Sequence, residues 1–352
     1  CTTFSSDTWY FPALTTTRDA LARLSLFNPF PGDASVDISI AFESGVRKPT
    51  ALSGVVIPAG TTRVIELGED VQRREQFSAT ITSRVGGVIA EVAQRFDGTG
   101  DIPVTGLRLV PGSRSASGAW AFAGGFTGPN AQETLVLLNP SEDPVGALAQ
   151  VVPYGSADLV PEPFELELPK LRYATVDLTD ESRVQQVGYH AIDVEATDTD
   201  VVAARSLNIT GAAEPADAPS LRDTITGGTT ASPGASHSAR RWVAAGMSVG
   251  EDADSLLFVH NFSTEDSVVT VAARTADSTD ALSEEYELPA GESVAVEASQ
   301  LVEGGGLFTT EVTSDKPVVV QRLQVWTTIQ DLSIQSAIPV VGSIDELSDL
   351  GG

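Results

Sequence analysis

One pattern recurs three times along the chain, and a recurrence with fixed spacing leaves little freedom in the choice of fold. The first copy opens at Trp9-Tyr10-Phe11, reaches Leu26-Phe27-Asn28-Pro29, turns at Ile57-Pro58-Ala59-Gly60 and continues into Phe77-Ser78-Ala79-Thr80. The second runs from Trp120-Ala121-Phe122 through Leu137-Leu138-Asn139-Pro140 to Leu168-Pro169-Lys170. The third runs from Trp242-Val243 through Val259-His260-Asn261-Phe262 and Leu288-Pro289-Ala290-Gly291 to Phe308-Thr309-Thr310. Tryptophan and asparagine stand 19 residues apart in every copy, and tryptophan and the mid-repeat proline 49, 49 and 47. Successive copies begin 111 and 122 residues apart. That period exceeds the roughly 20 to 50 residues of a solenoid unit and suits a self-contained domain, so the sequence predicts beads in tandem.

Within a copy the periodicity is two. Val36, Ile38, Ile40 and Phe42 alternate with Asp37, Ser39 and Ala41, and Leu24 and Leu26 flank Ser25. These runs last about six to nine residues and end at Asn-Pro, Pro-Ala-Gly or glycine-rich turns, with no capped stretch of helical period. Six or seven such strands in about 90 residues predict an antiparallel two-layer sandwich. The expected fold is all-β: three tandem immunoglobulin- or fibronectin-III-like β-sandwiches. Repeat 1 is expected over 1–98, a linker plus repeat 2 over 99–212, a second linker over 213–240, and repeat 3 with a C-terminal strand and tail over 241–352.

The repeated residues have physical roles in such a unit. Trp9, Trp120 and Trp242 are large fillers that anchor the first strand. Asn28-Pro29 and Asn139-Pro140 end a strand, because proline cannot donate to the ladder and asparagine bonds nearby backbone. Asn261-Phe262 must turn without proline, and Pro169-Lys170-Leu171 loosens the Pro-Ala-Gly corner of the other copies. Phe77 and Phe308 match, whereas His190 falls at that position in copy two, which predicts local repacking or a specialised surface. Segments 97–118 and 211–239 read as linkers that permit bending, although Leu107 to Val110 could pair locally. After Trp326 a further strand or strap is expected, with a free acidic tail from about residue 343.

Composition removes several function classes. With 41% hydrophobic and 20% charged residues in 352, the chain can bury real cores. No apolar run approaches the roughly 18 to 20 residues of a membrane span. Acidic residues outnumber basic ones by 48 to 21, and a net charge of −27 repels phosphate backbones and anionic lipid, so no nucleic acid is expected as a partner. Only Lys48, Lys170 and Lys316 are lysines, a bias associated with high-GC bacterial genomes. Cys1 is the single cysteine, so no disulfide forms within the chain. It is read as the acylated residue of a processed lipoprotein, as a half-cystine paired upstream, or as no more than where the segment starts.

Gly246-Met247-Ser248-Val249-Gly250 matches the G-x-S-x-G nucleophile elbow, which works only where a strand turns sharply into a helix and exposes the serine. Here Asp252, Ser255 and Leu256 lead into another strand, and the other copies place Gly124 to Gly128 and Pro12 to Thr16 in the same region, so a repeat turn is the expectation. Catalytic residues, metal ligands and cofactors are expected to be none. His190, His237 and His260 form no zinc spacing. Asp193, Glu195, Asp198 and Asp200, and Glu251, Asp252 and Asp254, offer the oxygen ligands calcium prefers, but without a D-x-[DN]-x-[DN]-G loop they read as solvated acidic faces. Gly304-Gly305-Gly306 reads as a flexible hairpin, and the acceptor triplets at Asn208 and Asn261 as incidental.

Taken together, the aromatic opening, the L-x-L-x-N-P run, the Pro-Ala-Gly corner and the terminal valine-rich strand resemble exported β-sandwich repeats of bacterial surfaces, over residues 9 to 326. They resemble in particular an uncharacterised actinobacterial family, a domain of unknown function, whose members are secreted or anchored envelope proteins. That resemblance implies an extracellular or envelope location, an envelope protein or surface glycan as partner, and an accessory role in surface-polymer assembly. The expected function is a non-catalytic, acidic, elongated spacer or interaction protein. The alternatives are a carbohydrate-binding accessory module, which needs exposed aromatics on one face, and a serine hydrolase using Ser248.

Overall fold

The computed structural model describes residues 5–101, 103–155, 160–184, 188–213, 225–275, 282–302, 305–342 and 347–350. Cys1 and Gly304 lie outside them. Repeat 1 comprises β1 (Thr8–Leu14), β2 (Ala20–Phe27), β3 (Ala34–Phe42), β4 (Gly45–Arg47), β5 (Val55–Ile57), β6 (Thr62–Glu66), β7 (Phe77–Val85), β8 (Ile89–Asp97) and β9 (Thr105–Pro111). Repeat 2 comprises β10 (Ala119–Thr127), β11 (Ala131–Leu138), β12 (Val145–Pro153), β13 (Phe164–Leu168), β14 (Tyr173–Asp177), β15 (Gly188–Ala196), β16 (Val202–Ile209) and β17 (Gly228–Pro233). Repeat 3 comprises β18 (His237–Val249), β19 (Ala253–His260), β20 (Ser267–Thr275), β21 (Leu282–Leu288), β22 (Ser293–Glu297), β23 (Gly306–Trp326), β24 (Asp331–Ser336), β25 (Ile338–Pro339) and β26 (Ser348–Asp349). A single turn of helix, α1 (Ala298–Leu301), interrupts it.

Every pairing is antiparallel, and the repeats share one plan. In repeat 1 one sheet has the order β1-β7-β3-β4, with β5 also on β3, and the other β6-β2-β8-β9. Repeat 2 gives β10-β15-β12-β13 and β14-β11-β16-β17. In repeat 3 the two sheets are continuous, because the 21-residue β23 pairs with β18 and β20 in its first part and with β19 and β24 in its second. Alternate residues from the two inner faces close each core, as the period of two requires.

The conserved spacing has an atomic cause. The indole N–H of each opening tryptophan donates to the chain across the sandwich: Trp9 to Val88 O (2.8 Å), Trp120 to Val201 O (2.9 Å) and Trp242 to Val318 O (2.9 Å). Each buried asparagine bridges two turns through Nδ2: Asn28 to Gly32 O and Ile57 O, Asn139 to Asp143 O and Leu168 O, Asn261 to Glu265 O and Leu288 O. Its Oδ1 accepts from the backbone N–H two residues on, at Phe30, Ser141 and Ser263. The asparagine is thus a buried tie between two turns, and proline after it is dispensable, as Phe262 shows.

Parts of both segments read as linkers form strands, and residues 214–224 of the second lie outside the described residues. Residues 105–111 form β9 on the edge of the second sheet of repeat 1, and residues 228–233 form β17 on the corresponding edge of repeat 2. In place of a free tail, β26 pairs with the start of β18, and Leu350 is buried. Strands β9, β17 and β24 occupy the same position in their repeats and pack on one another where the three repeats meet. The three repeats therefore surround a shared centre, in place of a row of beads.

At that centre the register makes Gly106, Gly228 and Asp331 equivalent: they stand opposite Phe96, Ile209 and Trp326, which occupy one position of the repeat. The Asp331 carboxylate accepts from the N–H groups of Leu107 (3.4 Å), Thr229 (3.3 Å) and Leu332 (2.9 Å), one from each repeat. Burial is the dominant influence on this carboxyl and holds its pKa above the ordinary value, against the three N–H groups. Glycine is required at 228, with φ of 123°, because a Cβ there would stand 2.7 Å from Leu332 N and 2.8 Å from Asp331 Cα.

Each repeat also covers the next. Strand β1 packs on β11 and β16 of repeat 2, and Tyr10, Ala13 and Ala41 join the hydrophobic cluster of that repeat. Strand β10 packs on β19 and β23 of repeat 3, where Ala121, Ala123, Phe126 and Tyr189 form one core with Leu256, Phe258, Val319 and Leu323. The covered faces are apolar: Val136, Leu138, Val202 and Ala204 in repeat 2 are all buried. The equivalent residues of repeat 1 are Ser25, Phe27, Ile89 and Glu91, and these are half-buried or exposed.

Candidate functional site

Ser248 does not sit on an elbow. Strand β18 runs through it to Val249, and no helix follows. Its backbone N–H donates to Ser255 Oγ (3.0 Å), its carbonyl accepts from Ser255 Oγ (2.9 Å), and its own Oγ accepts from Gln324 Nε2 (2.7 Å). The G-x-S-x-G pattern arises from the kink in β18, where the pairing with β23 slips between Ala244 and Met247 and Gly246 takes φ of 70°.

The slip occurs in all three first strands, and beneath it lies the main chemical difference between the repeats. In repeat 1 the position is apolar: Leu14 faces Phe77 across the ladder, with Ala22 and Val92 at nearby inward positions. In repeat 2 the equivalent residues are Gly125, His190, Glu133 and Arg205. Glu133 Oε2 lies 3.1 Å from His190 Nε2, and Oε1 lies 3.2 Å from Arg205 Nη1, with all three side chains at most 1% exposed. Their angles fall short of straight hydrogen bonds. His190 Nδ1 is 3.1 Å from Gly188 O, so both ring nitrogens face acceptor oxygens, and the Arg205 guanidinium lies over the Phe122 ring. Gly125 makes the room: a Cβ there would stand 2.4 Å from Glu133 Oε1 and 2.5 Å from Arg205 Nη1. Burial works to raise the Glu133 pKa, but the charges of His190 and Arg205 outweigh it and hold the carboxyl below its ordinary value. Burial lowers that of Arg205.

His260 and Asp193 form a second constellation, which joins repeats 2 and 3. His260 Nε2 is 2.8 Å from Asp193 Oδ1 and Nδ1 is 2.7 Å from Ser293 Oγ. The residue types are those of a hydrolytic triad, but the imidazole is wholly buried and both its nitrogens are taken. His237 opens β18 opposite Asp349. The acidic loops dissolve into separate roles: Asp193 holds His260, Asp252 Oδ1 accepts from Thr328 Oγ1 (2.5 Å) and Asp254 Oδ1 from Ser255 N (2.8 Å). Among the described residues, no three His, Cys, Asp or Glu side chains converge on a position for a metal ion.

Where the third repeat approaches the first, the junction equivalent to the two covered ones stays open. A groove of about 480 Å3 separates Ala90, Leu109 and Pro111 of repeat 1 from Val243, Ala245 and Arg322 of repeat 3, and Pro233 of β17 also lines it.

The family of unknown function DUF5719 matches residues 1–218, more than half of the chain. The chain belongs to DUF5719. The match spans repeat 1 and strands β10 to β16 of repeat 2, so the Glu133–His190–Arg205 cluster lies inside the DUF5719 region, and the groove combines that region with β17 and repeat 3. No relative is found among curated proteins. Among solved structures, a Thermotoga maritima protein designated 1070 is similar at 18% identity and a TM-score of 0.28, over 30% of this chain and 98% of that one. The Anabaena sensory rhodopsin transducer is similar at 16% and 0.22, over 26% and 99%. The FN1–FN3 domains of chicken CNTN1 are similar at 12% and 0.12, over 89% and 100%.

Sequence reasoning reached His190 but not its partners. The signal was available: Glu133 is in phase with the inward Leu135 and Leu137, and Arg205 with Ala203 and Leu207, so the period of two already turns both charges towards the core.

Proposed function

We propose that this DUF5719 chain is a non-catalytic, exported interaction protein of the cell envelope, acting as an acidic scaffold or an accessory of surface-polymer assembly. The observation that carries the reading is the closure of its chemistry. At His190 the imidazole and the Glu133 carboxylate are wholly buried, at His260 the imidazole is wholly buried with both nitrogens taken, and the half-buried Ser248 bonds to Ser255 and Gln324, with no histidine among its partners in the described residues. The net charge of −27 keeps such a surface soluble and selects partners without strong negative charge. The repeat tryptophans Trp9, Trp120 and Trp242 are at most 2% exposed and offer a glycan no stacking face; the exposed aromatics among the described residues are Phe27, Phe30 and Trp326. We read each repeat as an immunoglobulin- or fibronectin-like sandwich in architecture. Its strand order differs, since β1 lies beside β7, whereas the first strand of an immunoglobulin domain lies in the sheet of the second.

The test is ester and glycoside turnover by wild type, Ser248→Ala and Ser293→Ala. Rates indistinguishable from buffer in all three are expected. Turnover by wild type that disappears in either variant contradicts the proposal.

A further inference from the structure

The groove between repeats 3 and 1 contains a cation whose counterpart in repeat 2 has an anion. Arg322 stands opposite Leu257 as Arg205 stands opposite Leu135, so the two arginines occupy one position of the repeat. Arg205 has Glu133 at 3.2 Å. In repeat 3 the place of Glu133 is taken by Ser255, whose hydroxyl is spent on Ser248 O and Gln324 Oε1. Arg322 donates from Nη1 to the Ala245 carbonyl, and among the described residues no carboxylate lies within ion-pair distance of it. Burial lowers its pKa, the effect expected for a cation drawn out of water without a counter-charge.

The shape of the groove has a similar explanation. Repeat 1 presents Tyr10 to repeat 2, and its ring packs against that repeat's core. The residue of β18 at the Tyr10 position is Val243, a wall of the groove, so a ring's worth of side chain is missing from the third junction. Leu109, Pro111, Pro233, Ala244 and Ala245 make the rest of the wall largely apolar, and Glu91 on the repeat 1 side disfavours a second negative charge. A volume of about 480 Å3 is within the range of small-molecule sites.

We propose that this groove binds a small monocarboxylate bearing an aromatic ring, its carboxylate paired with Arg322 as Glu133 is paired with Arg205, and its ring in the space that Tyr10 fills at the first junction. The proposal goes beyond the interaction role above and stands apart from it: turnover of the ligand would remove the non-catalytic reading and leave the binding, whereas absence of binding would do the reverse. Phenylacetate and indole-3-acetate are the probes, with acetate and phenylacetamide as comparisons that lack the ring or the charge. Calorimetric titration of the whole chain is expected to give one saturable site with Kd of about 1 mM or tighter for the aromatic acids, and at least tenfold weaker binding for both comparisons. Arg322→Gln is expected to abolish the preference for the acid over the amide, with Arg322→Lys retaining part of it, and Val243→Phe to exclude all ring-bearing probes. Equal affinity for acid and amide in wild type, affinity unchanged by Arg322→Gln, or no saturation by any aromatic acid would overturn the proposal.

Discussion

Glu133→Ala is expected to destabilise the protein by about 3 to 5 kcal/mol, because it leaves Arg205 and His190 buried without the carboxylate between them. The larger lesson lies in a second variant. The four positions that carry Gly125, Glu133, His190 and Arg205 in repeat 2 carry Leu14, Ala22, Phe77 and Val92 in repeat 1, on the same backbone register. Transplanting that set, as Gly125→Leu, Glu133→Ala, His190→Phe and Arg205→Val together, replaces a poorly aligned ion cluster with a packing already realised elsewhere in the chain. Its expected stability ranges from that of wild type to about 4 kcal/mol above it. Gly125→Leu alone should fail, since even its Cβ would meet Glu133 at 2.4 Å.

The cluster also sets an acid limit. The folded-state pKa of Glu133 lies below its ordinary value, so its contribution is complete above the unfolded pKa of about 4.3 and is lost as pH falls through the folded one. Denaturant unfolding at neutral pH and at pH values below 4 should show the gap between the four-residue variant and wild type widening on acidification. An unchanged gap would show that Glu133 ionisation is not what couples this cluster to folding.

Gly124→Val is the second substitution with a large expected effect, and it acts between repeats. A Cβ at Gly124 would stand 1.9 Å from Phe258 Cδ2, so strand β10 and the outer face of repeat 3 cannot both keep their places. A loss of about 3 kcal/mol or more is expected, at the upper end for overpacked cores. Phe258→Ala costs a similar amount by itself, through the cavity it leaves among Tyr154, Tyr189 and Leu256. Combined, the two should recover part of the loss, because each relieves the fault of the other. Simple additivity would mean that Gly124 and Phe258 do not touch, and with that the packing of repeat 2 on repeat 3 would fail.

How much of this was legible depended on where a residue's partner lies. Trp9, Asn28 and their copies were readable because their work is done inside one repeat at fixed separation, and recurrence exposes it. The assembly was not. Gly228-Thr229-Thr230-Ala231-Ser232-Pro233 has the composition of a flexible connector, yet it is strand β17, buried where three sheets meet. Small residues are what that junction admits, so the trait that suggests mobility in a lone sequence is a packing requirement. Asp331 escaped for a related reason: its three N–H donors lie far apart in sequence and converge only after all repeats have folded. The apolar outer faces of repeats 2 and 3, with Val136 and Phe258, could have signalled covering, since the same face of repeat 1 carries Arg23 and Glu91.

All of these arguments place the three repeats around one centre, and the radius of gyration of the chain in solution tests that placement most directly. Small-angle scattering at low concentration should return about 20 Å, the value for 352 residues packed as one body. Three sandwiches strung in a line would give about 35 Å. A measured value above about 30 Å would contradict the meeting of β9, β17 and β24 at Asp331.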